Sequence, residues 1–160
     1  MQDFSQLLRR LSDAGLDFVI VGGYAAVTQG SSYITRDVDI CVVLTDENVA
    51  KIRQALGDWN PKHSMTPQKL SFLTYPPAGQ VLRNIYLQTD RGVVDIRTSV
   101  LGVGDFQRLR SQAEELEVDG QRFHVISLAD LITAEEAMGR EKDLLTAKEL
   151  RAIAAKRELR

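Results

Sequence analysis

Apolar and polar residues alternate along this chain in two different periods. Phe4, Leu7, Leu8 and Leu11 recur at helical spacing within residues 4–14, and Gly15 follows as a stop signal. "DFVIV" then reads as a buried strand, "GGYAAVTQG" as a tight turn opening a short helix, and "DVDICVVL" as the next strand. Thr45 is the expected N-cap of a helix over "DENVAKIRQALGDW". The stretch "NPKHSMTPQKLSFLTYPPAGQ" holds all four prolines and no sustained period, which predicts a loop with at most one short strand around Leu70 to Leu73.

Two alternating runs, "RNIYLQ" and "VVDIRTSV", flank "TDRG", and a shorter pair, "EELEV" and "RFHVIS", flanks Asp119-Gly120. Both predict hairpins, because such turn residues accept the backbone angles that tight hairpins need. Ser127 with Asp130 three residues on resembles a capping box ahead of "LADLITAEEAMG". In "KDLLTAKELRAIAAKREL", Ala147, Leu150, Ile153 and Ala154 share one face of a last helix. These elements predict an α/β sandwich over a small mixed sheet. One domain is expected over residues 1–160, with a core over about 1–112 and a hairpin plus C-terminal helices over about 113–160.

Composition narrows the class. With 44% hydrophobic and 26% charged residues the chain has the makeup of an ordinary folded domain. No apolar run approaches the roughly 20 residues that span a bilayer, and the N-terminus lacks a signal-peptide pattern. A cytoplasmic protein without a membrane partner is the expectation. The single cysteine, Cys41, excludes an internal disulfide, and within "DICVV" it reads as a small core residue. A net charge of −2 gives no long-range attraction to nucleic acid.

Against that background the acids in "DVDICVV" are unusual. Residues two apart on a strand share a face, so Asp37 and Asp39 project together while Val38 and Ile40 point the other way. Two like charges at that range repel unless a hard divalent cation lies between them. Gly22-Gly23, directly after a strand, lets the backbone approach a ligand closely. Asp95 in "GVVDIRT" is a third acid among β-branched residues. If its strand neighbours that of Asp37 and Asp39, three carboxylates converge, enough for two metal ions and phosphoryl chemistry.

The glycine pair at a helix start, the Asp-x-Asp on the next strand and the third acid on a later strand resemble the nucleotidyltransferases of the DNA polymerase beta superfamily. Within it the chain is most similar to small AbiEii and MenT-type toxin proteins. Thr35, two residues before the first acid, and "GREKD" at Gly139 to Asp143 extend the likeness. The resemblance implies a nucleotidyltransferase fold, an α+β arrangement with a small mixed sheet flanked by helices. It also implies metal-dependent transfer of a nucleoside monophosphate from a nucleoside triphosphate to a hydroxyl of RNA, protein or a small molecule. Asp37, Asp39 and Asp95 are then the catalytic acids and the ligands of Mg²⁺ or Mn²⁺. Gly22, Gly23, Thr35, Arg36, Arg140, Lys142 and Asp143 are the nucleotide-binding residues it implies. A toxin of a toxin–antitoxin pair is a further expectation, with tRNA or protein as acceptor and an antitoxin as partner.

Two positions depart from the pattern. Tyr33 stands where relatives often carry Arg, and Glu135 where they often carry Lys. The loss of two cations leaves a second reading, a catalytically weak or inactive nucleotide-binding or partner-binding module on the same fold. A third is docking through the basic last helix, with Lys148, Arg151, Lys156, Arg157 and Arg160, onto an acidic partner or an RNA backbone. His63 and His124 read as structural residues.

Overall fold

The amphipathic N-terminal segment folds as helix α1 (Phe4–Asp13), which buries Leu7, Leu8 and Leu11, in a computed structural model that describes residues 4–159. Strand β1 (Val19–Val21) is wholly buried. It runs directly into α2 (Gly22–Thr28) and is followed by β2 (Asp37–Cys41). Helix α3 (Asp46–Leu56) starts where expected, with the Thr45 hydroxyl accepting the Asn48 N–H at 3.1 Å. It packs against α1.

The proline-containing stretch corrects one expectation. Its strand is β3 (Lys62–His63), not Leu70 to Leu73, where pairing is reduced to a single bridge from Ser71 to Lys62. The segment is instead tied by side chains: Arg53 donates to the carbonyls of Phe72 and Pro76, both at 2.7 Å. His63 Nε2 lies 2.8 Å from the Tyr75 carbonyl, a structural role.

Strands β4 (Asn84–Thr89) and β5 (Gly92–Arg97) form the first hairpin. A small ribbon of β6 (Ser99–Val100) and β7 (Gly104–Asp105) follows. Helix α4 (Phe106–Gln112), which the periodicity did not single out, is capped by Asp105 accepting the Arg108 N–H. The second hairpin is β8 (Glu114–Val118) with β9 (Gln121–Val125). Helices α5 (Leu128–Met138) and α6 (Glu141–Glu158) close the chain. The capping box at Ser127 is only half formed. The Ser127 hydroxyl accepts the Asp130 N–H at 3.1 Å, but the Asp130 carboxylate turns to Arg108, which it binds through two hydrogen bonds of 2.9 Å. A guanidinium fork outcompetes a lone backbone N–H for a carboxylate.

Seven strands form one mixed sheet in the order β3-β4-β5-β2-β1-β9-β8. β2 runs antiparallel to β1 and parallel to β5, and β9 joins β1 in parallel through Ile20 and Val125. Val38, Ile40, Val94 and Ile96 are fully buried on the sheet face opposite the acids and belong to one continuous apolar core. Cys41 is in that core, its thiol pushed up to about 12, chiefly by burial, so it is inert packing.

On α6, Ala147 and Leu150 are buried, and Ile153 and Ala154 pack against the core. The cations of that helix are partly engaged. Arg151 pairs with Glu136, and Arg157 reaches the Gln29 side chain at 2.6 Å and Glu114 at 3.7 Å. Arg160 lies outside the described residues. No helix among the described residues is long and apolar enough to cross a membrane.

Candidate active site

The parallel register of β2 and β5 sets Asp39 directly across from Asp95. Since Asp37 shares the face of Asp39, the three carboxylates meet on one side of the sheet. Oxygens from all three lie within 4.8 Å of one another. The chain positions them with ordinary strand geometry; no unusual backbone is needed at the acids themselves.

The unusual backbone is next door. Gly22 has φ +69°, a conformation that favours glycine, and a methyl group there would overlap the Asp39 carboxylate. The absent side chain at Gly22 therefore makes room for Asp39. Gly23 is less constrained, but a methyl group would come 3.0 Å from Thr35 Oγ1. That hydroxyl in turn donates to the Asp37 carbonyl at 2.9 Å and fixes the entry to β2.

Burial pushes the Asp39 carboxyl up to about 6. Arg97, 3.9 Å away, opposes the shift without offsetting it, and Asp37 adds to it. Asp95 rises to about 7, first through burial and then through the charges of Asp39 and Asp37. One oxygen of Asp39, Oδ1, is buried with no hydrogen-bond partner among the described residues. A buried carboxylate oxygen without a donor is costly. A hard cation held by Asp37, Asp39 and Asp95 would satisfy it, and the all-oxygen donor set suits Mg²⁺ or Mn²⁺.

These shifts give a testable sign. A carboxyl raised in the folded state favours folding below its ordinary range, and that contribution is lost as pH climbs from about 4 through its raised value. Metal-free protein carrying Asp95→Asn is therefore expected to melt higher than wild type at pH 8, by about 1 kcal/mol or roughly 2–4 °C. The gain should shrink at pH 4.5. A melting temperature that falls at pH 8 would instead identify Asp95 as part of a stabilising ion pair.

The acids line a cleft of about 620 Å³. Every residue expected from sequence at the site lines it: Gly22, Gly23, Thr35 and Arg36 from α2 and the approach to β2, and Arg140, Lys142 and Asp143 from the start of α6. The "GREKD" segment is the joint between α5 and α6. Gly139 ends α5 in the left-handed region at φ +71°, which turns the chain so that α6 starts at the cleft. Asp143 is only 2% exposed and serves two purposes. It accepts the Arg140 backbone N–H at 3.3 Å, capping α6, and grips the Arg140 guanidinium at 2.6 and 3.1 Å. That guanidinium holds the Asp143 carboxyl below its usual range.

Some cleft residues escaped the sequence analysis. Arg97 stands two residues after Asp95 on β5, so the same period-two argument that paired Asp37 with Asp39 would have found it. Glu135, marked in the sequence only as a missing cation, rises to about 7 through burial and then the adjacent Asp143. Ile34, Leu101 and Met138 also line the cleft; no local pattern marks them.

No protein-family model and no curated protein sequence matches the chain. Solved structures do. A Thermotoga maritima protein described as a candidate nucleotidyltransferase superposes with a TM-score of 0.58 at 19% identity, over 96% of this chain and 93% of that one. The lincosamide antibiotic adenylyltransferase LnuA, solved with lincomycin bound, gives 0.62 at 17% over 94% and 95%. The antibiotic-resistance factor ANT(2'')-Ia gives 0.54 at 11% over 97% and 92%. At these identities the likeness is one of architecture, and the architecture of this chain is the nucleotidyltransferase fold.

Proposed function

We propose that this chain is a metal-dependent nucleotidyltransferase. It would move a nucleoside monophosphate from a nucleoside triphosphate to a hydroxyl group. The observation that carries the proposal is the buried, unpartnered oxygen of Asp39 among three converging carboxylates, beside a glycine that must lack a side chain for Asp39 to fit.

Asp37, Asp39 and Asp95 would hold Mg²⁺ or Mn²⁺, which when bound neutralises phosphate charge and polarises the α-phosphate. Gly22 and Gly23 leave the backbone bare where a triphosphate approaches. Arg36 and Lys142 would supply positive charge, and Arg140 is held in place by Asp143. In the transfer, the acceptor oxygen forms a bond to the α-phosphorus as the bond from that phosphorus to the bridging oxygen breaks. Pyrophosphate leaves with the electron pair. The acceptor proton would pass to a carboxylate of the cluster, and Asp95, the acid on the separate strand β5, is the one we assign to that role.

The acceptor class is a finer part of the proposal. tRNA or protein in a toxin–antitoxin setting rests on the sequence resemblance. LnuA carries lincomycin and ANT(2'')-Ia an adenylylated tobramycin, which adds a small-molecule hydroxyl to the classes to be tested. Incubation of the protein with each α-labelled nucleoside triphosphate, Mg²⁺ or Mn²⁺ and cell extract should yield a labelled product and pyrophosphate. The product's class identifies the acceptor, and Asp37→Ala should yield none. If wild type neither transfers label nor binds any triphosphate in a metal-dependent way, the inactive partner-binding module is the better description.

A further inference from the structure

The cleft has an apolar mouth that nucleotide chemistry does not require. Ile34 is 95% exposed, Leu101 63%, Tyr33 46% and Met138 45%, and all four line the same cleft as the acids. They come from three separate parts of the chain: the loop between α2 and β2, the turn between β6 and β7, and the end of α5. Scattered exposed apolar residues need no explanation, but four that converge at the mouth of one polar cleft mark a place where something apolar docks.

The loop that carries two of them is anchored on both sides. Glu149 of α6 accepts the Ser32 backbone N–H at 3.0 Å and the Ser32 hydroxyl at 2.6 Å. Further along, Thr35 donates to the Asp37 carbonyl. Tyr33 and Ile34 lie between these two anchors, so their exposure is built in.

Charge within the cleft disfavours a polyanion as its occupant. Four cations line the cleft: Arg36, Arg97, Arg140 and Lys142. Arg97 faces Asp39 and Arg140 is gripped by Asp143. Among the described residues, Arg36 and Lys142 are then the cleft cations outside any ion pair, and a triphosphate would draw on both. None is left to follow a nucleic-acid backbone, whose binding depends on several phosphate contacts. Farther out on α6, Arg151 and Arg157 are held by Glu136 and Glu114, and the exposed Lys148 and Lys156 lie outside the cleft lining.

We infer that the acceptor is a small, non-anionic amphipathic molecule, whose apolar body rests on Ile34, Leu101, Tyr33 and Met138 while its hydroxyl reaches the acid cluster. This rests on the transferase proposal above. It narrows the acceptor from any hydroxyl to one attached to an apolar body.

The test uses the whole protein with Mg²⁺ and two uncharged surface variants, Ile34→Asn and Leu101→Asn, whose exposed positions should leave folding intact, as melting temperature would verify. Calorimetry would follow the four nucleoside triphosphates, monomeric octyl glucoside as an apolar-bodied probe with hydroxyls, glucose as its polar control and bulk tRNA as a polyanion. Wild type should bind octyl glucoside, and neither glucose nor tRNA. Each variant should weaken octyl glucoside roughly tenfold and leave triphosphate affinity within about twofold. A parallel loss of triphosphate affinity would put the nucleobase in the mouth and overturn the inference. So would tRNA binding to wild type, or no octyl glucoside binding by a wild type that does bind triphosphate. Failure of wild type to bind any triphosphate would sink the transferase proposal itself, and this inference with it.

Discussion

Asp39→Asn is expected to lower nucleotidyl transfer by roughly 10³-fold, about 4 kcal/mol in transition-state stabilisation, while leaving the protein folded. Asp39 lies directly across from Asp95 and two residues along the same strand from Asp37, and its Oδ1 has no hydrogen-bond partner among the described residues. An amide is nearly the same size but is a far weaker ligand for a hard cation. Two measurements separate this account from a purely structural one. Triphosphate binding by wild type should be tighter with Mg²⁺ than with chelator, and the variant should lose that difference. Its melting temperature without metal should equal or exceed that of wild type at pH 8, because ionising a carboxyl raised to about 6 works against the fold there. A variant with near-normal transfer would remove the acid cluster from the mechanism.

The second large effect is expected at Gly22. Alanine would have to adopt φ +69° and set its methyl group into the space that the Asp39 carboxylate fills. The backbone cost is about 1–2 kcal/mol and the overlap adds to it, so Gly22→Ala should lose roughly 2–4 kcal/mol of stability and most activity together. Gly23→Ala differs in kind. Its φ lies outside the left-handed region, and the methyl group meets only the Thr35 side chain, Oγ1 at 3.0 Å and Cβ at 3.3 Å, which must yield slightly. A folded protein with triphosphate binding weakened about tenfold, near 1.4 kcal/mol, is expected there. Paired unfolding and calorimetric titrations of both variants would check the contrast. Equal stability losses at the two glycines would mean that the turn does not discriminate between them.

The two glycines also mark the border between what was legible in the sequence and what was not. A glycine pair after a strand signals close approach of something, but the sequence does not say that at Gly22 the nearest object is Asp39. The same limit applies at Asp130. Its spacing from Ser127 fitted a reciprocal cap, yet its carboxylate is taken by Arg108, a residue on another helix. Around Leu70 to Leu73 a short apolar run suggested a strand. Side-chain bonds from Arg53 to the Phe72 and Pro76 carbonyls hold that stretch in a compact loop instead.

By itself the sequence determined what depends on neighbours along the chain. Period-two alternation decided that Asp37 and Asp39 share a face, helical spacing decided which side of α1 is buried, and Thr45 and Asp119-Gly120 decided a cap and a turn. These are local consequences of backbone geometry, complete within a few residues. Tertiary structure decided everything that depends on which elements lie side by side. The parallel pairing of β2 with β5 brought Asp95 opposite Asp39. The joint at Gly139 brought Arg140, Lys142 and Asp143 to the same cleft, and packing of α5 set Glu135 beside Asp143. The apolar mouth of Ile34, Leu101, Tyr33 and Met138 exists only where three distant segments converge. No local pattern encodes such a meeting, because strand pairing and helix docking are selected by the burial of the whole core.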